Sequence, residues 1–381
     1  MKVLVVPFNY KNAYFPSAGV FIEEQIKAAE QFGCESHVLN VVAVPIPQIL
    51  KTGFSSLGFK QHRVQGVTVT QFLFPALPKL PKLTHRIRLW GQKRLAQKLL
   101  RTWQPDVTHV HMFPGGDVAR WLKSTYRIPY VVTEHLSGFA EGRYNPFQIY
   151  QAKACFDNAS ARIAVSQHLS QALNALSVKP FTIIPNCIDT AFFSTKADKP
   201  KSKGRRWITV GRLVEIKNHL GLIEAFAKAN LPKDITLTIV GEGVMRPKLE
   251  SLIKSLNLEA RITLVGQLDK AQIKQMLEEH DGFVLSSHYE TFGVVLIEAM
   301  SMGLPVLSTP CLGASEIITQ PSLGMISDTG TKALSDAMQR FANEAYDSDV
   351  IRQHVIEHFS SKKIGETLAM LYRDVTETKG R

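Results

Sequence analysis

The sequence predicts an α/β protein made of two doubly wound domains, each built on a parallel sheet. Three observations point there. The chain has 381 residues, more than one compact core comfortably serves and suited to two domains of ordinary size. Short apolar runs alternate with helix-period segments from end to end, the order that parallel strands with helical crossovers require. Those runs are apolar almost throughout rather than at every second residue, as strands covered on both faces are.

Taken in order, residues 2–6 (KVLVV) are the first expected strand, and residues 20–32, opened by Gly19, are the first long helix. Further strands are expected over residues 37–42, 67–74, 107–111, 130–133 and 162–165. The stretch TKADKPKSKGRR, from Thr195 to Arg206, is polar, charged and broken by Pro and Gly, and reads as an interdomain linker. It divides a first domain of residues 1–195 from a second that starts at 205. In the second, strands are expected over 207–210, 236–240, 262–265, 282–285 and 305–307, with helices over 219–229, 245–256, 271–279 and 294–302.

Composition narrows the class. Hydrophobic residues make up 45% and charged residues 20%, as in globular proteins. The opening MKVLVVPFNYKN has an apolar run too short for a secretory signal and no small-residue cleavage site. No run of 18 apolar residues offers a membrane-spanning helix. Cys34, Cys155, Cys187 and Cys311 are scattered without CxxC spacing, which argues against a disulfide framework or a zinc site. A cytoplasmic location is the expectation.

The net charge of +12 has an address. Residues 36–105 contain no Asp or Glu and hold eleven Lys and Arg, leaving 34 basic residues against 33 acidic ones elsewhere. Residues 43–105 mix these cations with apolar groups that read as exposed, such as Ile46, Ile49, Leu50, Phe54, Leu80 and Trp90, and residues 84–103 are long enough for a basic amphipathic helix. Such a helix suits an anionic membrane surface; ordinary helices with basic outer faces would look the same. Nucleic acid is not expected, because no helix-turn-helix, zinc or RNP-like signature is present.

Ligands of doubly wound sheets bind where strand ends meet helix starts, so the loops after strands are where chemistry is sought. After the strand at 207–210 come Gly211, Arg212 and Lys217, with Asn218 placed to cap the next helix. Two cations beside a helix start suit a diphosphate, although two surface cations would read alike. Gly241 and Gly243 follow the next strand, and Gly266 ends the one after it. The third glycine of a dinucleotide fingerprint is missing, so NAD is not supported; a ligand's close approach and simple turn chemistry both remain. The stretch HYETFGVVLIEAM then places Glu290 before a helix start at Thr291, Phe292, Gly293 and Val294, whose amides are donors for phosphate or sugar oxygens. Glu298 lies one turn beyond Val294 on the same face; as an isolated feature it would be an ordinary first-turn glutamate.

The combination is more specific than its parts. An Arg-x₄-Lys loop, a VGEG turn, an E-x₇-E loop and helix, and Gly313–Glu316 after the next strand resemble the GT-B fold retaining glycosyltransferases of the family 4, or group 1, type. PDVTHVH ending in His111, PYVVTEH ending in His135, IIPNCIDTAFF and the tail HFSSKKIGETLAMLY extend the likeness over nearly the whole chain.

The resemblance implies two Rossmann-like domains facing a central cleft, residues 1–195 on the acceptor side and 205–355 on the nucleotide-sugar side, with a helix over 356–381 crossing back. It implies that Arg212 and Lys217 neutralise a donor diphosphate, with Glu298 on the ribose. Glu290 and the amides of Phe292 and Gly293 would hold the donor sugar. Gly19 would let the first loop approach the diphosphate, and His135 would touch the sugar. His111 and Glu134 are candidates for the acceptor side, or a structural histidine and a turn residue. No metal and no cofactor beyond the nucleotide sugar are expected, UDP being preferred over GDP. The acceptor would be a glycan or lipid-linked sugar of bacterial surface polysaccharide or lipopolysaccharide, met at the inner face of the cell membrane. A nucleotide-sugar epimerase of related fold, and a basic module for membranes or polyanions, are the alternatives.

Overall fold

The computed structural model describes residues 1–139, 141–195 and 205–377. The chain forms two compact units, Met1–Cys187 with the segment from Ser361 onward, and Ile188–Ser360. It enters the second unit before the polar stretch expected to divide it, of which residues 196–204 lie outside the described residues. Phe193 gives the physical reason. Its side chain is fully buried, and its carbonyl accepts from Ser301 Oγ and Arg352 Nη1, both at 2.8 Å. Those bonds hold residues just after 188 within the second unit. The return falls between Ser360 and Ser361, close to the expected residue 356.

The first unit carries strands β1 (Lys2–Pro7), β2 (Glu35–Val44), β3 (Gly58–Val64), β4 (Val67–Pro75), β5 (Val107–His111), β6 (Tyr130–Glu134), β7 (Ala161–Ala164) and β8 (Thr182–Ile183). They form one sheet in the order β3-β4-β2-β1-β5-β6-β7-β8. Pairing is parallel except between β3 and β4. Helices α1 (Val20–Glu30), α2 (Ile46–Thr52), α3 (Pro81–Leu99), α4 (Gly116–Tyr126), α5 (Pro146–Asn158) and α6 (Gln167–Asn174) make the connections.

Strand β1 shows why its run is apolar without alternation. Val3 and Val5 enter one cluster with Ile22, Ile26, Ile364 and Leu368. Leu4 and Val6 point the other way, into a cluster with Leu39, Leu95, Val118 and Leu122. Period two therefore puts apolar side chains into both layers.

The basic segment differs from expectation. It supplies β3, an antiparallel edge strand joined to β4 by Gln65 and Gly66, both at positive φ. Phe59 stacks directly on its cross-strand partner Phe72 at 4.2 Å, a pair that fixes the register. The helix runs over Pro81–Leu99 rather than 84–103 and packs Leu95 and Ala96 into the core. Ile49, counted among the exposed apolar groups, is buried with Tyr14, Val42, Val44 and Leu73. Leu50 and Phe54 remain open to solvent, at 70% and 66% exposure.

The second unit has β9 (Arg206–Val210), β10 (Thr236–Val240), β11 (Ile262–Gly266), β12 (Gly282–Leu285), β13 (Val306–Ser308) and β14 (Gly324–Ile326), in the order β11-β10-β9-β12-β13-β14. All are parallel. Its helices are α7 (His219–Lys228), α8 (Arg246–Ser255), α9 (Lys270–Glu279), α10 (Val294–Ser301), α11 (Leu312–Ile317), α12 (Thr331–Asn343) and α13 (Ser348–Phe359). Trp207, Leu237, Ile239 and Val284 pack against α7 and α12 through Leu222, Phe226, Leu334 and Met338. The last helix, α14 (Ser361–Glu377), belongs to the first unit and lies along α1.

Candidate active site

In the second unit the chain runs from β9 outward to β10 and β11, then returns to the other side of β9 for β12, β13 and β14. The direction of winding reverses between β9 and β12, and the crevice at their carboxyl ends is where ligands of open α/β sheets bind. Two loops meet there. Lys217, after β9, forms an ion pair with Glu290, after β12. Ser287 Oγ donates to the same carboxylate oxygen at 2.9 Å. Ser286 Oγ donates to the Lys217 carbonyl at 2.9 Å, and the His288 amide donates to the Ile216 carbonyl at 2.9 Å. Both ends of the pair are half-buried, and the loops that carry them are laced backbone to backbone.

The start of α10 stands beside this pair. Gly293 is its N-cap, and among the described residues no protein acceptor takes the amides of Thr291, Phe292, Gly293 or Val294. They are the orphan donors that make a helix start an anion site. The Phe292 ring is buried edge-on to Phe359, at 5.7 Å between centroids, and anchors the loop. Glu298 lies on α10, half-buried. Arg212 is exposed and makes no ion pair among the described residues. Asn218 accepts from the Gly221 amide at 3.2 Å and caps α7.

Sequence reasoning missed three contributors here. Ser286 and Ser287 brace the Lys217–Glu290 pair; their signal was two serines closing an apolar strand. His219 is buried, and burial first, then the Lys217 charge, pull its pKa down to about 4. It stays neutral beside the lysine, with nothing in its sequence neighbourhood to announce it.

Gly241 and Gly266 serve the floor of the site. The Gly211 amide donates to the Val240 carbonyl at 3.0 Å, and the Gly241 amide to the Gly266 carbonyl at 2.8 Å. The ends of β9, β10 and β11 are thus tied in series. Gly241 has φ +146°, and a Cβ there would lie 1.9 Å from the Gly211 carbonyl oxygen. The sequence left a ligand's close approach and simple turn chemistry open for this glycine turn; the structure adds a close approach of the Gly211 backbone to Gly241.

The other candidates lie in the first unit. Gly19 caps α1. His135, after β6, is buried; its Nε2 is 3.1 Å from His111 Nδ1, and its ring packs on Phe21 with centroids 4.5 Å apart. Among the described residues His111 Nε2 and His135 Nδ1 have no hydrogen-bond partner. Neither His111 nor Glu134 reaches the surface. One Glu134 oxygen accepts from the Phe113 amide at 3.0 Å, and the other from the His135 and Leu136 amides, both at 3.0 Å. The carboxylate staples two loops together. His109 bridges Tyr372 Oη at 2.6 Å and Thr133 Oγ1 at 2.7 Å, tying α14 to the sheet.

These groups give the fold a pH dependence. Burial lowers the pKa of His109 and His135 to about 3 and that of His37 to about 4, and holds His111 well below its ordinary value. Each is neutral when folded but takes up a proton near 6.5 once unfolded. Their contribution is present above pH 6.5 and is lost as pH falls toward the folded values. Glu134 works in the opposite direction: burial raises it to about 7 against its amide hydrogen bonds, so its contribution declines as pH rises from 4.5 to 7. Four histidines outweigh one glutamate. The urea midpoint should therefore fall between pH 7 and pH 5, and His109→Gln should flatten the slope by about 1.4 kcal/mol per pH unit. A midpoint that rises on acidification would contradict this.

Comparison with known proteins agrees with the geometry. The family model Glycosyltransferase Family 4 matches residues 18–192, and the model Glycosyl transferases group 1 matches residues 192–357. A putative teichuronic acid biosynthesis glycosyltransferase, TuaC of Bacillus subtilis, is 27% identical over 99% of this chain and 100% of its own length. Among solved structures, sucrose-phosphate synthase from Thermosynechococcus elongatus superimposes with a TM-score of 0.80 at 19% identity, covering 99% of this chain and 100% of that one. HepE from Anabaena, in complex with UDP and glucose, does so with a TM-score of 0.72 at 17% identity over 98% and 100%. At such identities the structures speak for the fold, two Rossmann-like α/β domains. With both halves matched, and in this order, the chain belongs to the GT-B glycosyltransferases of the group 1, family 4 type.

Proposed function

We infer that the protein transfers a sugar from a nucleotide-sugar donor to a glycan or lipid-linked acceptor in bacterial surface polysaccharide assembly, with retention of anomeric configuration. The Lys217–Glu290 pair at the reversal between β9 and β12 carries this reading. A donor diphosphate placed there draws Lys217 away from Glu290. The lysine then faces the leaving group with Arg212 and the α10 amides, and the freed carboxylate accepts from sugar hydroxyls. The bond from the anomeric carbon to the diphosphate oxygen breaks as the acceptor oxygen attaches on the same face. The acceptor's proton passes to the departing phosphate, which needs no carboxylate nucleophile. Cations and amides carry the charge that an Asp-x-Asp metal site would otherwise carry. UDP as the nucleotide is supported by the fold shared with HepE, solved with UDP and glucose. The surface polysaccharide assignment draws on the likeness to TuaC.

The membrane part of the reading rests on residues 43–105. Of their eleven cations all but Arg88 and Lys93 are exposed, beside the exposed Leu50, Phe54, Leu80 and Trp90. Among the described residues no helix is long and apolar enough to cross a bilayer; in this reading the basic surface meets the inner face of the cell membrane.

The test is a thermal-shift panel of UDP, GDP, ADP and TDP with their sugar conjugates. At a hundredfold excess over Kd the preferred ligand adds about 2.7 kcal/mol to stability. That shift should shrink in Lys217→Ala. If no nucleotide moves the wild type while anionic liposomes do, the transferase site fails and the basic surface becomes the function.

A further inference from the structure

Arg88 stands apart from the other cations of the basic segment. It lines an open pocket of about 330 Å³ in the first unit, bordered by Phe8 after β1, Leu77 and Pro81 after β4, and Phe113 after β5. This is the carboxyl edge of the first sheet, where winding reverses between β1 and β5. The guanidinium lies over the Phe8 ring, 5.1 Å from its centroid. Its Nε is buried without a hydrogen-bond partner, and among the described residues no carboxylate pairs with it.

The other polar side chains of the wall make contacts of their own. Asn145 and Gln148 form the capping box of α5. Thr84 Oγ1 donates to the Leu80 carbonyl at 3.2 Å. His85 contacts Asp117 at 3.0 Å, and Gln151 lies 3.4 Å from the same carboxylate, which also accepts from Arg120 at 3.3 Å. Among the described residues Arg88 is the charged group of this wall that lacks a carboxylate partner, whereas His85 has Asp117. Its burial is unfavourable to the charge, yet a guanidinium does not shed its proton in a protein. A buried cation without a counter-charge is costly unless an anion joins it, and planar two-pronged donation matches a carboxylate or a phosphate.

We propose that this pocket binds an anionic group of the acceptor, a sugar carboxylate or a phosphate, through Arg88, with Phe8, Leu77 and Phe113 against its apolar part. The assignment of that ligand as the acceptor rests on the transferase reading above. Arg88 is then the residue that selects charged acceptors over neutral ones of the same shape.

The probes are octyl glucuronide, octyl phosphate and neutral octyl glucoside, each titrated calorimetrically into the full chain below its micelle concentration. Wild type should bind at least one anionic probe tenfold or more tighter than octyl glucoside, and whichever binds tighter identifies carboxylate or phosphate as the source. Arg88→Gln should erase that preference, while Arg88→Lys keeps the charge, loses the fork and falls between. Equal binding of the neutral probe, or an unchanged preference in Arg88→Gln, would overturn the proposal. UDP-induced stabilisation, measured in the same samples, reports on the nucleotide site and not on Arg88. If it is intact while the anion preference is absent, only the Arg88 inference falls; if wild type shows no nucleotide shift, the transferase reading falls instead.

Discussion

Lys217→Ala should lower kcat/KM for sugar transfer by two to three orders of magnitude, about 3–4 kcal/mol of lost stabilisation. The size follows from placement. Lys217 is half-buried, and its loop is pinned by Ser286 and by the amide of His288, so its charge is held in position before the leaving group forms. Pre-positioned charge of this kind is worth more than a mobile surface lysine because no reorganisation is needed during the reaction. The loss should fall mainly on kcat, since charge develops on the diphosphate as the bond to the sugar breaks. Lys217→Arg should recover only part, because a planar fork does not reproduce a point charge. Glu290→Gln should also lower kcat, and the two substitutions combined should cost less than the sum of each, as expected of groups that share a contact. Steady-state kinetics on the wild type and the four variants decides it: a Lys217→Ala loss below tenfold removes the lysine from the chemistry.

Gly241→Ala should destabilise the second unit by about 3 kcal/mol, through a backbone clash added to an unfavourable left-handed φ. The new Cβ would meet the Gly211 carbonyl oxygen at 1.9 Å, and that carbonyl belongs to the loop leading to Arg212. The loop cannot retreat without breaking the bonds that tie β9 to β10 and β10 to β11. Gly330 is the control. It too has a left-handed φ, +98°, but nothing lies within 4 Å of a Cβ there, so alanine should cost only about 1 kcal/mol. Urea unfolding followed by hydrogen exchange over residues 188–360 separates the two. Equal losses at both positions would mean that φ alone, and not the approach to Gly211, governs the turn.

Much of the architecture was legible because the strands announce themselves. The runs that became β1 and β12 are continuous and apolar, and Asn218 caps α7 as its position suggested. The errors have physical causes. β3 is an exposed edge strand whose side chains are mostly polar, so neither alternation nor an apolar run marked it. Its turn, Gln65-Gly66, is not among the pairs most typical of two-residue hairpins. Ile49 looked exposed because its neighbours Pro47, Leu50 and Lys51 offer no helical periodicity over so short a helix; tertiary packing on Tyr14 and Val44 decided its burial. For Glu134 the sequence offered an acceptor-side or a turn role; what it did not show is that three amides would take its oxygens.

By itself the sequence determined the order of strands and helices, the loops that open at strand ends, and the residue types available there: Arg212, Lys217, Glu290 and Glu298. These follow from short-range rules of periodicity, capping and turn chemistry, which act within a few residues. Only the tertiary structure decided that β12 lies beside β9 rather than beyond β11, and that placement brings Lys217 to Glu290 across 73 residues of chain. It alone left Arg88 without a partner while its neighbours found theirs. Spacing along a chain does not encode which strands become neighbours. Strand order is settled by the burial of whole faces, and the charges at the strand ends are then paired or left open by that packing.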